Sequence, residues 1–128
     1  VASETIKLMV KKEIPIKNAR ILILGFTFKE NCPDVRNTRV IDIVRELLTY
    51  QTKLSIFDPW AEPGRVKHEY GIDTVDNLDA ARGRYDAVIL AVAHTEFMDM
   101  DIRDFTNPRC VVYDVKGVLK DEVVDARL

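Results

Sequence analysis

Two uninterrupted aliphatic runs, Ile21-Leu-Ile-Leu24 and Ala87-Val-Ile-Leu-Ala-Val92, restrict the folds open to this chain. A strand with one wet face alternates apolar and polar residues; a run that is apolar at every position suits a strand covered on both faces, as in a parallel sheet. The first run stops at Gly25 and is followed by an irregular polar segment carrying Lys29, Asp34 and Arg36. An amphipathic helix is then predicted from Thr38 to about Tyr50. Val40, Ile41, Val44, Leu47 and Leu48 share one of its faces, and Asp42, Arg45 and Glu46 the other. Asn37 or Thr38 can cap it by accepting a backbone N–H. Strand two, Lys53–Phe57, ends at Asp58-Pro59, where proline stops ladder pairing, so a β-α-β unit is complete by residue 58.

The alternation continues. A short surface helix over 62–70 closed by Gly71, a minor edge strand over 72–75 and a helical turn at 77–81 lead to the second aliphatic run, which should be central. A short helix over 101–105 and a last strand over 111–113 complete the pattern, and the polar tail 120–128 has no assignment. Residues 3–12 read as the last turns of a helix, with Ile6, Met9 and Val10 on one face and no partner of its own. With Val1 in place of Met at the head, this predicts an excised piece in which residues 1–12 end a connecting helix and 13–128 form one domain.

Strands alternating with helices predict an α/β fold, a Rossmann-like three-layer sandwich with a mainly parallel sheet of about five strands. If the strand order reverses between the two aliphatic runs, residues 25–36, 94–97 and 114–117 line one crevice beyond the carboxyl ends of the strands, where such sheets bind ligands.

Charge narrows what that crevice can hold. There are 19 Lys and Arg against 21 Asp and Glu, so composition offers no basic face to nucleic acid, and an anion site must be local. Lys29 and Arg36 are its first candidates. No apolar run approaches the roughly 18 residues of a membrane span, and the expectation is a cytoplasmic protein without membrane partners. Cys32 and Cys110 form no Cys-x-x-Cys pair, and His68 and His94 lie far apart, so no metal site is predicted. Cys110 opens an apolar run and reads as a small core residue; Cys32 reads as a loop thiol.

A dinucleotide loop normally carries Gly-x-Gly-x-x-Gly, because glycines let the backbone approach the pyrophosphate. Here Gly25 stands alone, with Phe26 and Phe28 where bulk would block that approach, which opposes a self-sufficient NAD-binding domain. Asp58 sits where a ribose-binding acid would stand, but without the glycines it reads as a turn residue. Plainer roles exist for the other candidates. Arg36 can pair with Asp34 in a solvated loop, Lys116 can be one charge in a polar turn, His94 can be a capping or buried hydrogen-bonded histidine, and Phe26, Phe28 and Phe97 can be packing aromatics.

The stretch Gly25-Phe-Thr-Phe-Lys-Glu-Asn-Cys-Pro-Asp-Val-Arg-Asn-Thr38 resembles the G-x-x-F-K-x-x-x-x-D-x-R-x-S motif of the UDP-glucose/GDP-mannose dehydrogenase family, in its carboxyl-terminal domain. Asp58-Pro59, His94-Thr-Glu-Phe97 and Tyr113-Asp-Val-Lys-Gly117 follow in the family's order, and the resemblance spans about residues 13 to 119. Its style is similar to the branch that oxidises UDP-N-acetylhexosamines for surface polysaccharide synthesis. The resemblance implies a three-part protein: an amino-terminal domain that binds NAD, a central helical domain that builds a homodimer, and this carboxyl-terminal domain holding the UDP part of a UDP-sugar. It further implies two oxidations of the sugar C6 alcohol through a cysteine that lies upstream, so neither Cys32 nor Cys110 inherits that role and the piece alone should be inactive. By position, Lys29 matches a lysine reaching into the catalytic centre, Phe28 a residue beside the substrate, and Arg36 an arginine that crosses toward bound NAD. Lys116 falls where glucose-specific members carry a substrate-contacting arginine, and a lysine there gives a point charge without the bidentate fork. Thr38 replaces the motif serine. The reading from another class is a non-catalytic flavodoxin-like regulatory or interaction module; a receiver of that type needs an acidic pair after strand one, where this chain has Gly25-Phe26.

Overall fold

Five parallel strands lie in the order β2-β1-β3-β4-β5 in a computed structural model that describes residues 1–79 and 82–128. They are β1 (Arg20–Leu24), β2 (Lys53–Phe57), β3 (Tyr85–Leu90), β4 (Thr106–Asp114) and β5 (Ala126–Arg127). The helices are α1 (Ala2–Lys11), α2 (Val40–Leu48), α3 (Pro63–Tyr70) and α4 (Thr95–Met98), with a 3-10 turn at Ile102–Phe105. β3 is central, as expected of the second aliphatic run, and the order reverses between β1 and β3.

Both faces of the central strands are dry. Ile21 and Ile23 of β1, Ala87 and Ile89 of β3, and Val111 and Tyr113 of β4 point to one side, against Ile6 and Met9 of α1, Val44 and Leu47 of α2, and Val66 of α3. Leu22, Leu24, Val88, Leu90 and Val112 point to the other, under Phe97, Ile102 and Phe105. The period-two alternation thus divides one apolar run between two cores. The second face is covered by the four-residue α4, the 3-10 turn and Leu78, with Val75, Leu119, Val123 and Val124 packed against the same cluster, so its cover is built from short segments.

Three expectations change. Helix α1 does not stand without a partner: Ala2, Thr5, Ile6 and Met9, spaced i, i+3, i+4, i+7, are buried in the first core, while Val10 faces outward at 60% exposure. Residues 72–75 form no strand; Val75 donates one backbone hydrogen bond to Ile56 O (2.9 Å), too little to make a ladder. The fifth strand is instead at the opposite edge, in the tail that sequence left unassigned. Asp125 zips it there: its N–H donates to Val112 O (2.8 Å), and its carboxylate accepts from Val112 N–H (2.7 Å) and Lys12 Nζ (2.6 Å). The turn predicted at 77–81 lies in part outside the described residues.

Gly25 is fixed by packing. Its φ is +95°, and a Cβ there would lie 2.5 Å from Val92 Cβ and 2.8 Å from Val92 N. The chain leaving β1 presses on the chain leaving β3, and only glycine allows that approach. We predict that Gly25→Ala costs roughly 3 kcal/mol in urea unfolding, combining overpacking with a disallowed backbone. Gly117→Ala, also at positive φ but with no atom within 4 Å of the new Cβ, should cost only about 1–2 kcal/mol.

Candidate functional site

The carboxyl edge of the sheet is organised around Asp58, the first residue after β2, whose side chain is fully buried. Its Oδ2 accepts from the amides of Phe26 (2.6 Å) and Thr27 (2.9 Å) and from His94 Nε2 (2.9 Å). Oδ1 accepts from the amides of Trp60 (2.7 Å) and Ala61 (3.1 Å). One carboxylate therefore gathers the loops that leave β1, β2 and β3. Burial alone would push this carboxyl up, but the hydrogen bonds from His94 and from the Phe26, Thr27 and Trp60 amides outweigh it and hold Asp58 below the usual carboxylate range.

His94 is also fully buried. Its Nδ1 accepts from the Asn31 amide (2.9 Å), which leaves the ring proton on Nε2, facing Asp58 Oδ2 and Thr27 Oγ1 (3.0 Å). Trp60 stacks on the imidazole at 6.1 Å between centroids and 26° between planes, and its indole N–H donates to Glu96 Oε1 (3.0 Å). The far end of the first loop is held by Tyr70, whose hydroxyl donates to Val35 O (2.6 Å) and whose ring meets Phe26 edge-on at 5.3 Å. Thr38 closes the loop onto α2: its hydroxyl donates to Phe26 O (2.5 Å) and accepts from Val40 N–H (3.2 Å).

On this frame the residues singled out by sequence fall into two groups. Phe28 and Lys29 stand side by side on the exposed crest of the first loop, Phe28 at 53% exposure, beside the loop that carries His94. Phe28 is thus no packing aromatic, unlike the buried Phe26 and Phe97. Lys116 is exposed in the turn after β4, which Asp114 builds by accepting from the amides of Lys116 (3.1 Å), Gly117 (2.9 Å) and Leu119 (2.7 Å). The ends of β1 and β4 are two strand spacings apart, about 10 Å, across β3. Arg36 stays on its own loop: its Nε and Nη2 donate to Asp34 Oδ1 (3.1 Å) and Oδ2 (3.3 Å). The Arg36 guanidinium holds the Asp34 carboxyl below its usual range, and Asp34 raises Arg36 in return, but an exposed pair of this kind contributes little.

Sequence missed the parts that hold the crest in place. Asp58 was legible as a strand-end residue but read only as a turn, and Asn31 and Thr27 carry no motif signal of their own. What could have been read is that Asp58 directly after β2 and His94 four residues past β3 lie beyond the strands on either side of β1, where polar side chains can meet.

The chain does not fit a dinucleotide by itself. Gly25 is used up against Val92, Phe26 is buried, and both oxygens of Asp58 are saturated by the chain's own donors, so no ribose acceptor is left. Nor do Phe28, Lys29, Arg36 or Lys116 line either of two grooves of about 590 and 600 Å3. One of about 590 Å3, lined by Lys12, Pro15, Asp86, Asn107 and Arg109, lies at the amino ends of the strands. Cys110, on its wall, is a half-buried thiol that burial pushes up to about 12. No helix among the described residues is long and apolar enough to cross a membrane.

Residues 22–121 match the family described as "UDP-glucose/GDP-mannose dehydrogenase family, UDP binding domain". The chain is 50% identical over 131 aligned positions to the UDP-N-acetyl-D-glucosamine 6-dehydrogenase of Salmonella typhi, which covers 100% of this chain and 30% of that protein. It is 47% identical to the enzyme of the same name from Pseudomonas aeruginosa, covering 100% and 31%. The chain thus spans about three-tenths of the length of these curated relatives. In fold it is similar to an NDP-N-acetyl-D-galactosaminuronic acid dehydrogenase from Methanosarcina mazei, with a TM-score of 0.78 at 19% identity over 94% of this chain and 25% of that one.

The carboxylate at the centre gives a pH-dependent prediction. Because Asp58 titrates lower when folded than when unfolded, its stabilisation is fully present above about pH 4 and is lost as pH falls through the folded value. Asp58→Asn, which turns an N–H toward backbone donors, should cost about 3 kcal/mol in urea unfolding at pH 7. That difference from the wild type should shrink at pH 3.

Proposed function

This chain belongs to the UDP-glucose/GDP-mannose dehydrogenase family as its UDP-binding domain, and from that premise we propose that it is the substrate-holding part of an NAD-dependent nucleotide-sugar 6-dehydrogenase. The substrate is a UDP-N-acetylhexosamine, oxidised at C6 to the uronic acid for surface polysaccharide synthesis. The observation that carries this reading is the pinned crest at the carboxyl edge, which presents Phe28 and Lys29 to solvent on a loop fastened to Asp58 and His94. The names of the two bacterial relatives support the hexosamine class.

The edge has the character of half a cleft. Large apolar side chains are exposed in each of the four segments that follow β1 to β4: Phe28, Trp60, Met98 at the end of α4, and Val118. Lys29 and Lys116 supply charge to the same edge. In water such cations attract a diphosphate weakly, whereas a second wall that excludes water would strengthen the contact severalfold. That wall, in this proposal, is the rest of the protein. Lys29 reaches the sugar and the reacting centre, Phe28 packs beside the substrate, and Lys116 holds the nucleotide end as a point charge. Arg36, whose exposed pair with Asp34 is readily exchanged, turns across the cleft toward NAD. NAD, held by the amino-terminal part, would supply the hydride acceptor for each of the two C6 oxidations.

The proposal takes residues 1–12 as the end of the connecting helix, here folded down onto the sheet, and 13–128 as the UDP-sugar domain. It also takes the full-length protein to be a cytoplasmic homodimer, and the isolated piece to be inactive because the catalytic cysteine lies outside it.

Lys29→Ala in the full-length protein tests it. NADH formation from UDP-N-acetylglucosamine should fall about 10²-fold, while unfolding free energy changes by no more than about 0.5 kcal/mol, as for an exposed side chain. Wild-type turnover with altered stability would contradict the role.

A further inference from the structure

Residues 27–31 form an arch whose crest, Phe28, Lys29 and Glu30, is exposed and whose two feet rest on the same buried ring. At one foot, Thr27 Oγ1 lies 3.0 Å from His94 Nε2 and donates to Lys29 O (3.0 Å) across the crest. At the other, the Asn31 N–H donates to His94 Nδ1 (2.9 Å). Asn31 takes φ +55°, a left-handed conformation that asparagine tolerates, and its Oδ1 accepts from the N–H (3.0 Å) and hydroxyl (3.1 Å) of Thr95. The foot is thereby locked to the residue next to His94.

The chemistry of the ring explains why a histidine stands there. Asp58 Oδ2, 2.9 Å away, can face Nε2 only if that nitrogen carries the proton, which leaves Nδ1 with a lone pair aimed at the Asn31 amide. A rigid frame with a donor and an acceptor on opposite sides spans the gap between the two loops. His94 has no solvent exposure; its bond to Asp58 is fully buried and that to the Asn31 amide part-buried. We infer that His94 is a positioning residue: through Nδ1 it sets the height of the arch that carries Phe28 and Lys29, with Asp58 choosing the tautomer. This inference rests on the reading of Phe28 and Lys29 as substrate-facing, and His94 itself touches no substrate.

Two amide substitutions separate the ring's two functions in the full-length protein. A glutamine side chain can bring its NH2 near the Nε2 position and keep the donor to Asp58, but it leaves the Asn31 amide without an acceptor. An asparagine side chain can place its Oδ1 near the Nδ1 position and keep that acceptor. Hydrogen exchange of the Asn31 amide should therefore accelerate about tenfold in His94→Gln, the loss of one buried hydrogen bond, and return toward wild type in His94→Asn. Turnover of UDP-N-acetylglucosamine should follow the same order. Equal exchange in the two variants, or faster exchange in His94→Asn, would overturn the inference. If exchange obeys the order but Lys29→Ala leaves turnover intact, the arch is still set by His94 and the substrate reading is what fails. The wild-type protein provides an arm that survives a variant that does not fold. Imidazole 15N shifts should be pyridine-like at Nδ1 and pyrrole-like at Nε2, and the reverse assignment would overturn the inference.

Discussion

The carboxylate of Asp58 collects five hydrogen bonds, four from backbone amides and one from an imidazole, and the carboxyl edge of the sheet takes its shape from them. A buried charge is costly unless all its lone pairs are met, and here each donor comes from a loop that would otherwise have an orphan N–H. The requirement runs both ways. The loops after β1, β2 and β3 need the carboxylate as much as it needs them, so three segments distant in sequence settle into one arrangement. In a dinucleotide fold the acid at this place serves a ribose; in this chain it serves the protein and supports the exposed crest.

That displacement suits a half-site. The candidate cations stand at the surface with no wall around them, and Arg36 is occupied by a neighbour it can easily leave. Such groups have modest pull in water and gain it only when a second surface removes the water. Rigid support with exposed, weakly committed charge is what the proposed half-site needs: the Asp58–His94 core fixes where the crest is.

How much of this could be read from the chain depended on whether a signal is local. Ile21–Leu24 and Ala87–Val92 read as buried parallel strands from local signals alone: they are short, rich in β-branched residues and set among alternating helical patterns. The phenylalanine-lysine crest was legible through its motif, and the Arg36–Asp34 pair through simple proximity. Apart from the edge strand expected at 72–75, the misses were long-range. β5 is held by Asp125 bridging to Val112 and Lys12, partners that no window of sequence contains. α1 hides its inward stripe because Val10 extends the apolar pattern onto the outer face. Asp58 and His94 looked ordinary because each has meaning only once the strand order sets them on either side of β1.

The central claim is that this edge holds UDP and leaves NAD to the rest of the protein. An amide NMR titration with UDP and, separately, with NAD tests it most directly, because millimolar binding to a half-site still moves resonances. The account predicts that UDP shifts the amides of Phe28, Lys29, Asn31 and Lys116 while NAD at the same concentration leaves them in place. Shifts at those amides produced by NAD and not by UDP would contradict it.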